Sequence, residues 1–139
     1  MQLETLNALQ IHGVRWLSRG KAVERLVVLI PPILNLWKKE KKDSCYDKAR
    51  KFSVHFCLHM LVDIMGELNK LNKKFQEEYV DVASLGEAID VTINTLRRWF
   101  LRNDTFADGT CYLSKFLDAS KFGYLDICDK EGLVHRHEL

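Results

Sequence analysis

Hydrophobic residues recur at intervals of three and four along most of this 139-residue chain, which is the spacing of amphipathic α-helices. The first long segment with this pattern predicts a helix from Ser18, its expected N-cap, to about residue 39. Pro31 and Pro32 interrupt the pattern and remove two backbone donors. We therefore expect a kink or a break in this helix.

The same spacing predicts three further helices. A long one covers about residues 45–76, with Phe52, His59 and Phe75 on its inner stripe, and two shorter ones cover about 84–102 and 110–119. The first two of these begin at expected capping boxes, Ser44 with Asp47 and Ser84 with Glu87. No segment shows the alternation of a strand. The predicted fold class is therefore all-α: an irregular helical bundle with one long central helix and no RNase H-like sheet.

Composition is consistent with one globular unit. Apolar residues make up 47% of the chain and charged residues 29%, which suits a packed core with a solvated surface. The hydrophobic pattern fades after Gly123. We therefore expect a helical domain over 1–123 and a loosely held C-terminal tail over 124–139.

The net charge of +2 is too small to indicate a nucleic-acid-binding protein, but its distribution is uneven. Residues 1–102 hold 17 basic and 12 acidic side chains, whereas residues 103–139 hold 4 and 7. The basic residues cluster at 15–25, 38–51 and 97–102. Each cluster either attracts phosphate or forms an ordinary solvated face.

Targeting features and cysteine spacing indicate an intracellular protein that is not secreted, because the chain opens with no signal peptide. The four cysteines form no CxxC pair or zinc-finger spacing, so free thiols in a reducing compartment are expected. The most apolar stretch is about twelve residues long, against about twenty for a bilayer span. We expect no membrane association.

His55, His59 and Asp63 are spaced by four residues on the long helix, so they share one face. Two histidines and a carboxylate at this spacing form a candidate transition-metal site. The alternative, which we favour, is a half-buried histidine pair with local hydrogen bonds. No phosphate loop, nucleophile motif or paired-carboxylate signature occurs, so the sequence predicts no catalytic residue, no cofactor and no small-molecule substrate.

The segment Val14-Arg15-Trp16-Leu17-Ser18-Arg19-Gly20 combines an aromatic side chain with cations at a loop-to-helix junction. A tryptophan provides a face on which a base stacks, and arginines hold phosphates. The opposing interpretation is that the tryptophan packs in the core. The candidate DNA-binding residues are Arg15, Trp16, Arg19, Lys21 and Arg25.

This segment resembles the Arg-Trp motif of hAT-superfamily transposases and their domesticated vertebrate relatives. The resemblance continues through 22–29, 52–76 ("FSVHFCLHMLVDIMGELNKLNKKFQ"), 80–100 and 113–122, and it covers roughly residues 10–123. It implies a fragment of the all-α insertion that interrupts the RNase H-like core of these transposases. In that family the tryptophan matched by Trp16 helps hold a flipped base, with Arg15 as its neighbour.

The resemblance also implies that the catalytic carboxylates of the family lie outside this chain. We therefore expect a non-catalytic helical remnant that acts as an interaction or scaffold module, with another protein or a transposase-like chain as its partner. The alternative is a DNA-binding module, insensitive to sequence, that uses Trp16 and its basic neighbours. Either function agrees with a nuclear location.

Overall fold

The computed structural model describes residues 16–77, 81–102 and 104–120 of the chain. These residues form five α-helices and no strand, which confirms the predicted all-α fold. The helices are α1 (Trp16–Lys39), α2 (Asp43–Ala49), α3 (Phe52–Phe75), α4 (Val82–Phe100) and α5 (Leu113–Ser120). The predicted tail over 124–139 lies outside the described residues.

Helix α3 is the centre of the bundle, since α1, α4 and α5 all pack against it. Buried side chains of α1, Ile30 and Leu34, belong to the core together with Val62 and Met65 of α3. At its other end, α3 contributes Phe52 to a cluster completed by residues beyond α4, namely Ala107, Leu113 and Phe116. The long central helix of the prediction is therefore present, in 24 residues.

Helix α1 runs through Pro31 and Pro32 as one helix, so the expected break is absent, while a kink at this point stays a prediction. Because Pro31 and Pro32 have no backbone N–H, the carbonyl groups four residues before each of them accept no helical hydrogen bond. Burial on either side of the proline pair explains why the helix continues. Ile30 and Leu34 lie one turn apart on the same face, are both buried, and hold both halves of α1 in the core.

The predicted helix over 45–76 is divided into α2 and α3 at Arg50 and Lys51, because Lys51 adopts an extended conformation. The break frees Phe52 to enter the core, whereas α2 has no buried residue. The expected Ser44–Asp47 capping box is also absent. Helix α2 begins at Asp43, and the Asp47 carboxylate instead pairs with Arg50 at 3.3 Å.

Helix α4 begins two residues before the predicted Ser84. Its N-cap is Asp81, whose carboxylate Oδ1 accepts a hydrogen bond from the Ser84 backbone N–H at 2.7 Å. An aspartate in this position satisfies one of the free donors of the first turn and favours the positive end of the helix dipole. The serine therefore supplies a backbone donor rather than the cap.

Candidate functional site

The residues predicted to bind DNA come from the beginning of α1. Trp16 is the first residue of that helix, so Ser18 lies within the first turn and is not the N-cap. Arg15 and the side chain of Trp16 lie outside the described part of the protein. Lys21 is exposed, whereas Arg19 and Arg25 already take part in interactions within the protein.

A cleft of about 340 Å³ lies beside this part of α1, between α1, α3, Trp99 and the loop before α5. Its charged lining side chains are two lysines and three carboxylates: Lys21, Lys70, Glu24, Asp63 and Glu67. Lys70 also forms a salt bridge with Glu67. The cleft therefore lacks the cationic excess that a phosphate site needs.

The histidine pair lies between α3 and α5. His55 is fully buried, and His59 uses Nδ1 in a 2.6 Å hydrogen bond with the His55 carbonyl oxygen. Both rings stack on Phe116, with ring centroids 6.0 and 4.5 Å from the Phe116 centroid. Burial lowers the pKa of both imidazoles. For His55, the nearby His59 lowers the pKa further, while the Ala49 carbonyl opposes the shift without forming a well-aligned hydrogen bond.

Asp63, the third member of the proposed metal set, is directed at the beginning of α5. Its carboxylate accepts hydrogen bonds from three consecutive backbone N–H groups, those of Cys111, Tyr112 and Leu113, over 2.8–3.2 Å. Across the described ranges, no three histidine, cysteine or acidic side chains are placed to share a metal ion. The histidines and Asp63 thus hold α5 on α3 instead of converging on one point.

Tyr112 links this same region to α1. Its hydroxyl donates a hydrogen bond to Glu24 Oε1 at 2.5 Å. The hydrogen bond, partial burial and nearby negative charge raise the pKa of Tyr112 to about 12. The loop before α5 is consequently joined to two helices, α3 through Asp63 and α1 through Glu24.

A cationic surface lies on the outer side of α4, near its C-terminal end. Arg97, Arg98 and Arg102 are exposed there and form no ion pair within the described residues. They line a shallow recess of about 570 Å³ that also includes Val91 and Leu101, which are 63% and 74% exposed. The basic cluster is visible in the sequence, but the exposed aliphatic residues beside it are not, because hydrophobic spacing alone assigns them no face.

A second uncovered surface follows α3. Leu61, Leu68 and Phe75 remain 39%, 38% and 49% exposed, although the sequence pattern assigned Phe75 to the inner stripe. A groove of about 220 Å³ lies along the C-terminal half of this helix, and its described lining comes from α3 alone. The groove lining is Met65, Leu68, Asn69, Leu71, Asn72 and Phe75. At one edge of the groove the α1 backbone at Gly20 lies against Met65 and Asn69, whereas Leu68 and Phe75 stay exposed.

None of the described helices combines the length and apolar character needed to cross a bilayer. Among known families, the model described as the FAM200/GTF2IRD2 helical domain matches residues 2–103, which is more than half of the chain. No curated protein and no solved structure shows significant similarity. The chain therefore belongs to the FAM200/GTF2IRD2 helical-domain family, which is related to domesticated proteins derived from hAT-like transposases.

Proposed function

We propose that this chain is a non-catalytic protein-interaction module, derived from the helical insertion of an hAT-like transposase and acting in the nucleus. The observation that carries the proposal is the amount of apolar surface left uncovered. Within the described residues, eleven large hydrophobic side chains are exposed, against nine hydrophobic residues buried in the core. Where exposed hydrophobic side chains adjoin one another on a folded domain, they are typical of a binding surface.

The uncovered side chains lie on definite helix faces. On α3 the apolar surface is formed by Leu61, Leu68 and Phe75, and on α4 it includes Val91 and Leu101. Single exposed hydrophobics are normal on protein surfaces, whereas rows of them along a helix form a continuous contact area. A helical partner fits such rows best, since its own apolar stripe matches them in length and width.

The test is quantitative capture from a vertebrate cell extract, with the purified chain immobilised. The L61K/L68K variant should lose partners of the α3 surface, and V91K/L101K should lose those of the α4 surface. The control is Ser53→Lys, which adds one positive charge, against two in each double variant, at an exposed position of α3. Identical captured proteins for wild type and both double variants would contradict the proposal.

The non-catalytic part of the proposal rests on the transposase resemblance, which puts the metal-binding carboxylates of the family outside this stretch of sequence. Strand cleavage by two metal ions needs several carboxylates around ions about 4 Å apart. We expect no cleavage or strand transfer when the purified chain meets DNA with Mg²⁺ or Mn²⁺. Cleavage that disappears on substitution of one of its own carboxylates would overturn this part.

A second candidate function, DNA binding, is favoured by the three arginines of α4. Arg97, Arg98 and Arg102 are exposed and without ion pairs in the described ranges, so they are available for phosphate. Such contacts are insensitive to sequence and sensitive to salt. If all three bind phosphates, the log–log dependence of duplex affinity on salt should have a slope of about −3.

Fluorescence anisotropy across a salt series tests this function on duplex and single-stranded probes. The R98A/R102A variant should contact two fewer phosphates, so the magnitude of the log–log slope should fall by about 2. Trp16→Ala should weaken only the single-stranded probe, by about 1–3 kcal/mol, if its ring stacks on a base. No binding at low salt would eliminate the DNA function and leave the protein-interaction proposal intact.

A further inference from the structure

The recess on the outer side of α4 follows a single face of that helix. Four of its lining residues follow one another at intervals of three, four and three residues, which places them in one row: Val91, Asn94, Arg98 and Leu101. Leu101 is the C-cap of α4 and keeps a helical backbone conformation, so the row continues through it. At a rise of about 1.5 Å per residue the row is about 15 Å long. It therefore offers nearly three turns of one helix face to a partner.

The charge of this recess is positive. Its described lining includes three arginines, Arg97, Arg98 and Arg102, and no carboxylate. Cations in the last turn of a helix offset the partial negative charge of its C-terminus, but that charge is only about half an elementary charge. The arginines exceed it several times over. An occupant that complements the recess is therefore negatively charged.

Two observations favour a protein segment over a nucleic acid as this occupant. Val91 and Leu101 lie in the row with Arg98 and are exposed, and a phosphate backbone offers no apolar surface to cover them. Glu87 lies one turn before Val91 and is also exposed, so its carboxylate would repel phosphates that run along this face. An acidic helix can instead place its own aliphatic side chains against Val91 and Leu101.

We propose that the α4 recess binds an acidic amphipathic helix of a partner protein. The aliphatic stripe of that helix covers Val91 and Leu101, and the aspartates or glutamates beside the stripe pair with Arg98 and Arg102. A guanidinium group suits this role because it holds a carboxylate through two parallel hydrogen bonds. The inference rests on the proposed interaction function and names the class of partner for its α4 surface.

Fluorescence anisotropy with a designed peptide tests the proposal. The probe is a fluorescently labelled peptide of about 18 residues, with leucines at intervals of three and four and glutamates at the flanking positions. A matched peptide with glutamine in place of every glutamate keeps the apolar stripe and removes the charge. We expect the acidic peptide to bind and to gain helical circular dichroism on binding, and the glutamine peptide to bind at least about tenfold more weakly.

Variants of the chain separate the two kinds of contact. R98A/R102A should raise the Kd of the acidic peptide more than about tenfold, and V91S/L101S should raise it about fivefold. The control K39A/K73A removes two exposed cations from α1 and α3, and the control L36S/V82S removes two exposed aliphatic side chains outside the recess. Each control should change Kd less than about twofold. Far-UV circular dichroism of each variant checks that the helices are retained.

Absence of acidic-peptide binding, equal binding of the glutamine peptide, or equal losses in the recess and control variants would overturn the proposal. Duplex DNA is the competing ligand. If it binds more tightly than the acidic peptide, and loses affinity in R98A/R102A but not in V91S/L101S, the recess is a nucleic-acid site and the proposal is wrong. In each of these cases, capture of partners that depends on Leu61 and Leu68 would still support the interaction function.

Discussion

The Asp63 carboxylate on α3 caps α5 from a distance of fifty residues in sequence, by accepting the Leu113 backbone N–H at 2.8 Å. The N-terminus of a helix carries free N–H groups and partial positive charge, both of which a carboxylate satisfies. Asp63 is buried, and the adjacent N–H groups of Cys111 and Tyr112 complete its hydrogen bonding. A tertiary contact thus supplies the cap that α5 needs.

Replacing this carboxylate with an amide should destabilise the protein. Asp63→Asn keeps the shape but turns an N–H₂ group toward backbone donors, and it removes the charge that favours the helix dipole. We expect the free energy of unfolding to fall by about 2–3 kcal/mol, the scale of hydrogen bonds to a charged group. Urea denaturation followed by circular dichroism measures the change.

Asp90→Asn is the matched control. Asp90 is exposed on α4, and its replacement by asparagine removes the same negative charge as Asp63→Asn does. Its effect should stay within about 0.5 kcal/mol. Equal losses for Asp63→Asn and Asp90→Asn would mean that net charge, and not the α5 cap, accounts for the effect.

Stability should fall in mildly acidic solution because of the histidine pair. Burial lowers the pKa of His55 and His59 in the folded protein below the ordinary value of 6.5. The unfolded chain therefore binds more protons than the folded chain as the pH drops below that value. The histidine contribution to the free energy of unfolding is fully present above about pH 7 and is lost progressively as the pH falls through the lowered pKa values.

Thermal denaturation at a series of pH values between the neutral and acidic limits measures this loss. His55→Phe keeps a ring against Phe116 while removing one of the two titrating groups, so its stability should depend less steeply on pH than that of the wild type. The titration of both imidazoles by NMR should show pKa values below 6.5. An ordinary or raised pKa for both would contradict the prediction.

Gly109 is expected to resist substitution. Its φ of +82° disfavours a residue with a Cβ, and an added Cβ would lie 3.2 Å from Trp99 Nε1. Gly109→Ala should lower the free energy of unfolding by about 1–2 kcal/mol. Gly66→Ala provides a contrast within α3, because an added Cβ meets nothing within 4 Å and should stabilise the helix by about 0.5–1 kcal/mol. In chemical denaturation, Gly109→Ala should lower the free energy of unfolding and Gly66→Ala should raise it.

The phenol of Tyr112 should lose its proton at a higher pH than an ordinary tyrosine. Its hydrogen bond to Glu24 is the main cause that raises its pKa from 10.0 to about 12. Glu24→Gln removes the carboxylate charge and should bring this pKa back toward 10.0. Absorbance titration of the phenolate measures both proteins, with Tyr112→Phe identifying the residue. An unchanged titration in Glu24→Gln would show that the negative charge of the Glu24 carboxylate is not the cause.

Hydrophobic spacing predicted the class and approximate position of α1, α3, α4 and α5, because each helix buries part of an apolar stripe. It failed at Lys51, where one extended residue divides a continuous pattern. The division is a tertiary effect, since it brings Phe52 into contact with Phe116, with ring centroids 5.4 Å apart. A rule based only on neighbouring residues in the sequence cannot predict that contact.

The polar residues show the same limit. Spacing placed His55, His59 and Asp63 on one helix face and made a metal site one interpretation. The structure turns Asp63 to backbone groups about fifty residues away, and a sequence pattern carries no signal for such a partner. For the α4 surface, the sequence indicated the arginines but gave no sign that Val91 and Leu101 stay uncovered beside them.

The position of α5 also decides how long this core remains unfinished during synthesis. The fifty residues between Asp63 and Leu113 take about 3–10 seconds to translate at about 5–20 residues per second, whereas a helix forms within about a microsecond. Helix α3 can therefore form on the nascent chain while Phe52 has no α5 to cover it. During those seconds the apolar side of α3 that α5 later covers stays exposed on the nascent chain, where it is open to chaperones and to aggregation.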